Sequence, residues 1–192
     1  MPRFLEFFIS LSGLIIFSPF IFLMAILIHI EAKGPIFYKA RRVGRVGKSF
    51  IMWKFRSMTV DADRKGPTIT THKDARITSM GAFLRKTKLD ELPQLINVLK
   101  GDMKFVGPRP EDPSIVQKYS ESQKKILQYR PGITSPASIA FRSEEELIPP
   151  EKWEAVYLKE ILPKKLELDL LYIEKATMWS DIKIILKTIF NR

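Results

Sequence analysis

Between Phe7 and Ile28 the chain reads FFISLSGLIIFSPFIFLMAILI, without one charged side chain. Roughly 22 residues rising 1.5 Å each reach about 33 Å, the thickness of a hydrocarbon core. The pattern therefore predicts a membrane helix rather than a buried helix of a soluble protein, and the segment is too long and too weakly charged at its start for a signal peptide. Ser18-Pro19 falls near its middle, where proline removes an amide donor and clashes with the preceding turn, so a kink or break is expected. Two shapes fit: a kinked helix that spans the bilayer, or one that turns back and leaves both ends on the same face. Lys33, Lys39, Arg41, Arg42, Arg45, Lys48, Lys54 and Arg56 follow with no acid among them, which holds the body of the protein on the cytoplasmic side.

Further on, PIFYKA and SFIMWKFRSM are aromatic and β-branched and flank RRVGRVGK, a pattern that predicts a β-hairpin. GRVGKS is not a phosphate loop, because Arg42 stands where the pattern needs its first glycine. Residues 57 to 80, with Gly66, Pro67 and several threonines, read as a loop carrying a short helix. Leu92, Leu95, Ile96 and Leu99 then recur at helical spacing before Gly101, predicting a helix over 91–100 with Pro93 in its first turn. After Arg130, helices are expected over 151–161 and 164–177. A last one should start at Ser180 as N-cap, with Ile182, Ile185, Leu186 and Ile189 on one face. That face suits core packing and headgroup docking equally. These elements give an α+β fold, mainly helical with a small hairpin and interfacial amphipathic helices, in which residues 1–32 form the membrane helix and 33–192 a catalytic domain.

Charge and composition narrow the chemistry. The 32 lysines and arginines against 21 acids leave a net charge of +11, which favours polyanionic partners: nucleic acid, an anionic membrane or phosphorylated substrates. There is no cysteine, and His29 and His72 are the only histidines. Thiolate zinc sites, cysteine nucleophiles and histidine-centred triads are excluded, and any metal should be a hard cation held by oxygen, magnesium by default.

In this basic chain Asp90 and Glu91 stand side by side at the predicted helix start, after Arg85, Lys86 and Lys88 and ahead of GPRPE. Helix capping accounts for one such carboxylate; two within a basic surround suit phosphoryl transfer. Arg85 and Arg109 can each hold a phosphate through a planar fork of donors, and the prolines flanking Arg109 limit the freedom it loses. A carboxylate attacks phosphorus once magnesium and arginines neutralise the electrophile, giving an acyl phosphate without a histidine. One acid would attack while its neighbour binds the metal.

The Ser18-Pro19 segment, GPIFYKARRVG, KFRSM, DARIT, GAFLRKTKLDELPQLINVLKGDMKFVGPRP, YRPGIT and WSDIKIILKTI, in this order, resemble the small monotopic phosphoglycosyl transferases, a family of bacterial sugar transferases. The resemblance covers nearly the whole chain. It implies transfer of a sugar phosphate from a UDP-sugar to polyprenyl (undecaprenyl) phosphate, giving polyprenyl diphosphate-sugar and UMP with magnesium, as the first membrane step of glycoconjugate assembly. Downstream glycosyltransferases would take the product onward. By the same resemblance Asp90 is the nucleophile of a ping-pong reaction and Glu91 the magnesium ligand. Arg85 and Arg109 bind phosphate, and Lys54, Arg56 and Arg130 lie in matching motifs. The helix broken at Ser18 and Pro19 would be re-entrant, on the cytoplasmic face of the bacterial inner membrane. After RPGIT the chain departs from the pattern of many members with Ser135, Pro136, Ala137 and Ser138, so no sugar identity carries over.

Two other functions fit parts of the chain. A membrane-tethered nucleic-acid binder would use Phe37, Tyr38, Phe50 and Trp53 of the hairpin as stacking platforms and would leave Asp90 and Glu91 as mere caps. A lipid-phosphate hydrolase would release inorganic phosphate without a UDP-sugar. The carboxylate pair favours the transferase, with UDP-sugar, polyprenyl phosphate and membrane lipid as partners and no nucleic acid.

Overall fold

The computed structural model describes residues 1–64, 66, 70, 74–144, 148 and 150–190. His72 and parts of the expected loop over 57–80 lie outside them. The chain opens with two helices, α1 (Arg3–Ile16) and α2 (Ser18–Glu31), bent by 58° at Phe17. The bend follows from Pro19, which cannot donate to the carbonyl of Ile15 four residues back. The Ser18 hydroxyl takes that acceptor instead, at 2.8 Å. Among the described residues no single helix is long and apolar enough to cross a membrane; the bent pair together reaches that length and apolar composition.

Both ends of the pair are fastened to the rest of the protein. At the start, Arg3 donates to the carbonyls of Val98 and Leu99, and the buried Glu6 pairs with Arg130 at 3.1 Å. At the far end, Arg56 donates to the carbonyls of Ile28, Ala32 and Lys33, and Glu31 accepts the Met80 amide. Met24 and Ile28 enter a core with Phe55 and Leu84. The outer faces expose Phe4, Phe8, Ile15, Ile16, Phe22 and Ile30, a run of apolar surface that a soluble monomer rarely carries.

The expected hairpin is present as β1 (Phe37–Val43) and β2 (Ser49–Phe55), antiparallel with Phe37 opposite Phe55 and Val43 opposite Ser49. Its aromatic residues pack inward on one another: Phe37 stacks on Phe55 and meets Trp53 edge-on. Helix α3 (Ser79–Thr87) follows, capped by Thr78. The helix expected over 91–100 is shorter. Residues Leu89–Gln94 form a tight 3-10 turn around Pro93, and the α-helix α4 runs only over Leu95–Lys100 before Gly101 at φ +92°. A proline with no amide hydrogen and the left-handed Lys88 ahead of it favour the tighter turn.

Strands β3 (Lys104–Val106) and β4 (Gly132–Thr134) form a parallel pair that the sequence pattern does not announce. Its close approach rests on glycine, since a Cβ on Gly132 would sit 2.1 Å from the Gly107 amide nitrogen. Helix α5 (Pro136–Ala140) follows. The two helices expected on either side of Pro163 form one run: Trp153–Val156, a π turn over Tyr157–Ile161, and α6 (Leu162–Glu174). The wide turn absorbs the amide that Pro163 lacks.

The last helix, α7, spans Met178–Phe190 and begins two residues before Ser180. Thr177 is its cap and Ser180 the returning partner: the Ser180 amide donates to the Thr177 hydroxyl at 3.1 Å and the Thr177 amide to Ser180 Oγ at 2.8 Å. Its inward stripe is Asp181, Ile184, Ile185 and Thr188, whereas Leu186, Ile189 and Phe190 stay exposed.

Asn97, fully buried, ties α4 to the open edge of β2: it accepts from the Trp53 amide at 3.0 Å and donates to the Ile51 carbonyl at 2.6 Å. Asn97→Leu keeps the volume but leaves that edge unpaired. It should lower stability by about 1–3 kcal/mol in denaturant titration, and a cost below about 0.5 kcal/mol would show the clamp to be dispensable.

Candidate active site

The tight turn over Leu89–Gln94 carries both carboxylates, and the folding of the rest brings cations to them. Lys88 closes α3 in the left-handed region at φ +58°, which reverses the chain and turns Asp90 and Glu91 toward β2. From β2, Lys54 Nζ reaches Glu91 Oε1 at 2.8 Å and stands 3.8 Å from Asp90 Oδ2. The Pro-Arg-Pro segment leaves β3 and delivers Arg109, whose guanidinium donates to Glu91 Oε1 at 2.6 Å and Oε2 at 3.5 Å. Neither carboxylate caps a helix; Glu91 is clamped between two cations.

Asp90 differs from its neighbour. It is buried, 5% exposed, and its Oδ1 has no hydrogen-bond partner among the described residues. Burial pushes its carboxyl above the ordinary value, against the opposing charge of Lys54 and with added repulsion from Glu91. For Glu91 burial acts in the same direction, but Arg109 and Lys54 outweigh it and hold that carboxyl well below the usual range. The pair is thus one acid kept firmly ionised by its partners and one with an unengaged oxygen.

Asp90 lines a cavity of about 440 Å³ together with Lys54, Arg56, Arg76, Arg85 and Arg109. Of the residues expected at the site, Asp90, Glu91, Lys54 and Arg109 meet in one cluster, and Arg85 lines the same cavity as Asp90. Arg56 borders it too, while its guanidinium spends its donors on the end of α2. Arg130 lines neither this cavity nor the one behind Glu91; it is bound to Glu6 of α1.

Other residues of the site give little sequence signal. Tyr157, turned inward by the π turn, donates to Glu111 at 2.5 Å, and the buried Lys165 donates to Glu144 at 2.8 Å and to the Tyr157 hydroxyl at 3.2 Å. All four line the Asp90 cavity. Asp169, 3% exposed, accepts the Ala137 amide at 3.0 Å. Burial raises its carboxyl to about 6, opposed by the Ala137 amide, the Ser135 hydroxyl, the Lys165 charge and the Arg109 amide. It therefore holds both α5 and the backbone of the Pro-Arg-Pro turn. The one clue to it in the sequence is a carboxylate among Leu166, Leu170 and Ile173 on an otherwise apolar helix face.

The site is thus a buried carboxylate with an oxygen unpartnered among the described residues, beside a clamped partner and lining a cavity rich in cationic side chains. The chain belongs to the bacterial sugar transferase family, whose profile matches residues 1–192. It is 39% identical over 182 residues to a protein of Escherichia coli (strain K12) named UDP-glucose:undecaprenyl-phosphate glucose-1-phosphate transferase, covering 93% of this chain and 37% of that one. It is 47% identical over 119 residues to a putative undecaprenyl-phosphate N-acetylgalactosaminyl 1-phosphate transferase of Bacillus subtilis (strain 168), covering 62% of this chain and 66% of that one. An uncharacterized sugar transferase, EpsL, of the same organism is 37% identical over 162 residues, covering 84% of this chain and 72% of its own. The chain spans little more than a third of the length of the first two of its longer curated relatives.

The state of Asp169 sets a pH dependence. Its folded value near 6 lies above the roughly 3.9 of an unfolded aspartate, so the folded state holds the extra proton between the two. Stability should fall as pH rises through this window, by at most about 3 kcal/mol. Asp169→Asn should flatten that part of the curve in thermal denaturation between pH 4 and 7; a variant curve parallel to the parent's would refute the assignment.

Proposed function

We propose that this protein transfers a sugar phosphate from a UDP-sugar to undecaprenyl phosphate or a related polyprenyl phosphate, with Asp90 as the attacking group. The observation that carries this reading is Asp90 itself, buried, with an Oδ1 that has no hydrogen-bond partner among the described residues, and lining a cavity rich in arginine and lysine. In the first step a lone pair of that oxygen forms a bond to the β-phosphorus of the donor. The bond from that phosphorus to the bridging oxygen breaks, and UMP leaves. A phosphosugar remains as an acyl phosphate on Asp90. In the second step an oxygen of the polyprenyl phosphate attacks the same phosphorus, and the carboxylate returns as leaving group.

The other residues prepare this chemistry. Arg85 and Arg109 place donors around the diphosphate in a planar array. Lys54 lies between the two acids and offsets the repulsion that an incoming phosphate would meet. Glu91 keeps Arg109 and Lys54 in place. The turn also offers the oxygen donors that magnesium takes. Among the described residues no three acids, histidines or cysteines come together, which suits an ion that binds one or two carboxylates and completes its shell with substrate phosphates and water. Bound by Glu91 beside Asp90, magnesium would neutralise phosphate charge.

The reading includes a place at the cytoplasmic face of the bacterial inner membrane, with the α1–α2 pair dipping into one leaflet. Its support is the 58° bend at Ser18-Pro19, the apolar outer faces, and the fastening of both ends of the pair to one body. A cytosolic nucleotide sugar and a lipid phosphate meet at such a surface. The sugar stays open, since relatives are named for glucose and for N-acetylgalactosamine.

Purified protein given magnesium, polyprenyl phosphate and a panel of UDP-sugars should release UMP with one or a few of them. Asp90→Asn should lower that rate by roughly 10³-fold or more. Release of inorganic phosphate without a UDP-sugar would favour a hydrolase instead. Because the reaction needs the ionised form of an aspartate whose pKa is raised, kcat/KM should decline on the acid side with a midpoint above about 3.9. Lys54 lowers that pKa, so Lys54→Met should move the midpoint to higher pH; an unmoved midpoint counts against Asp90 as the titrating group.

A further inference from the structure

Behind the carboxylate pair lies a second cavity, of about 350 Å³, and its lining is of another kind. Leu92, Phe105, Ile133, Ile139, Ile185 and Ile189 make most of its apolar lining. The two cavities share only Arg109, Glu144 and Lys165, all of them charged. The adjacent acids divide between them: Asp90 lines the basic cavity and Glu91 the apolar one. A partition of ionic side chains thus separates a space suited to a nucleotide sugar from one suited to an alkyl chain.

We propose that the apolar cavity seats the acceptor lipid, with the isoprene units next to its phosphate against α5 and α7 and the phosphate itself between Lys88 and Arg109. This rests on the transferase reading above and adds where the second substrate enters. Charge complementarity selects the occupant. The cavity is apolar along its walls and cationic at the end that meets the carboxylate pair, the pattern of an amphiphile with an anionic head. Lys88 lines that end, is exposed, and makes no salt bridge among the described residues. Its left-handed backbone, at φ +58°, is a conformation that strains a residue with a Cβ and persists where the surroundings impose it.

The outer wall continues the argument. Thr188 of α7 is hydrogen-bonded to Thr134 of β4 at 2.6 Å, so α7 is pinned beside the cavity. On either side of that contact along α7, Leu186, Ile189 and Phe190 expose their side chains, by 47%, 57% and 76%. The cavity is too small for a long polyprenyl chain, and this apolar strip gives the remainder a path toward the bilayer.

The test separates this inference from the one beneath it. The full chain in nanodiscs is irradiated with a polyprenyl phosphate that carries a diazirine on the isoprene next to the phosphate. Adducts should map to peptides around Ile133–Phe141 and Ile185–Ile189, and excess unlabelled polyprenyl phosphate should suppress them. Adducts confined to α1 and α2, or adducts that ordinary phospholipid suppresses equally well, would overturn the proposal. In parallel, Ile185→Trp, which fills the cavity, should lower kcat/KM for the acceptor tenfold or more while the burst of UMP from donor alone keeps its amplitude. An acceptor kcat/KM unaffected by the filled cavity counts against this site, whereas loss of the UMP burst in the parent protein would bring down the transferase reading itself.

Discussion

Two neighbouring carboxylates are buried at the centre of this protein, and taking a charge out of water costs several kcal/mol per ion unless partners make up for it. Most of the architecture can be read as meeting that requirement for Glu91 and deliberately leaving it half met for Asp90. Strand β2 supplies Lys54, the loop after β3 supplies Arg109, and the tight turn around Pro93 sets both acids toward them. Glu91 is saturated. Among the described residues Asp90 receives only the more distant approach of Lys54 and keeps one oxygen without a hydrogen-bond partner. An unsatisfied buried acceptor costs about 1–3 kcal/mol, and a fold retains one where that oxygen has a use.

The scaffold fixes each supplier in turn. Asn97 holds the edge of β2, and Gly107 against Gly132 lets β3 and β4 approach closely enough to launch the Pro-Arg-Pro turn. Asp169 steadies that turn and α5 together, and the π turn rotates Tyr157 into contact with Glu111 beside Arg109. These contacts join residues 25 to 60 positions apart, so the cluster depends on the completed fold rather than on any local segment.

Local chemistry was legible in the chain. The proline break, the hairpin with its glycine-bearing turn, Gly101 as a helix stop, the acid pair and the grouping of Arg109 with it all follow from side-chain pattern, whereas Lys54 is drawn to the pair by the family resemblance alone. What stayed hidden depends on tertiary partners. The parallel pairing of two three-residue strands has no periodicity to betray it. The π turn that carries the helix through Pro163 and the inward displacement of the α7 stripe arise from packing. Arg130 looks like one more phosphate ligand in a basic chain, yet the structure gives it to Glu6, where it anchors α1.

If Asp90 is the group that attacks, its oxygen must spend part of each turnover bonded to phosphorus. The direct measurement is to mix the protein with its UDP-sugar and no acceptor, quench in acid, digest, and weigh the peptide containing Asp90. The account predicts added mass equal to one sugar phosphate on that residue, lost when polyprenyl phosphate is supplied. An unmodified Asp90 peptide, or an adduct on another residue, in a preparation that makes product once the acceptor is added would contradict it.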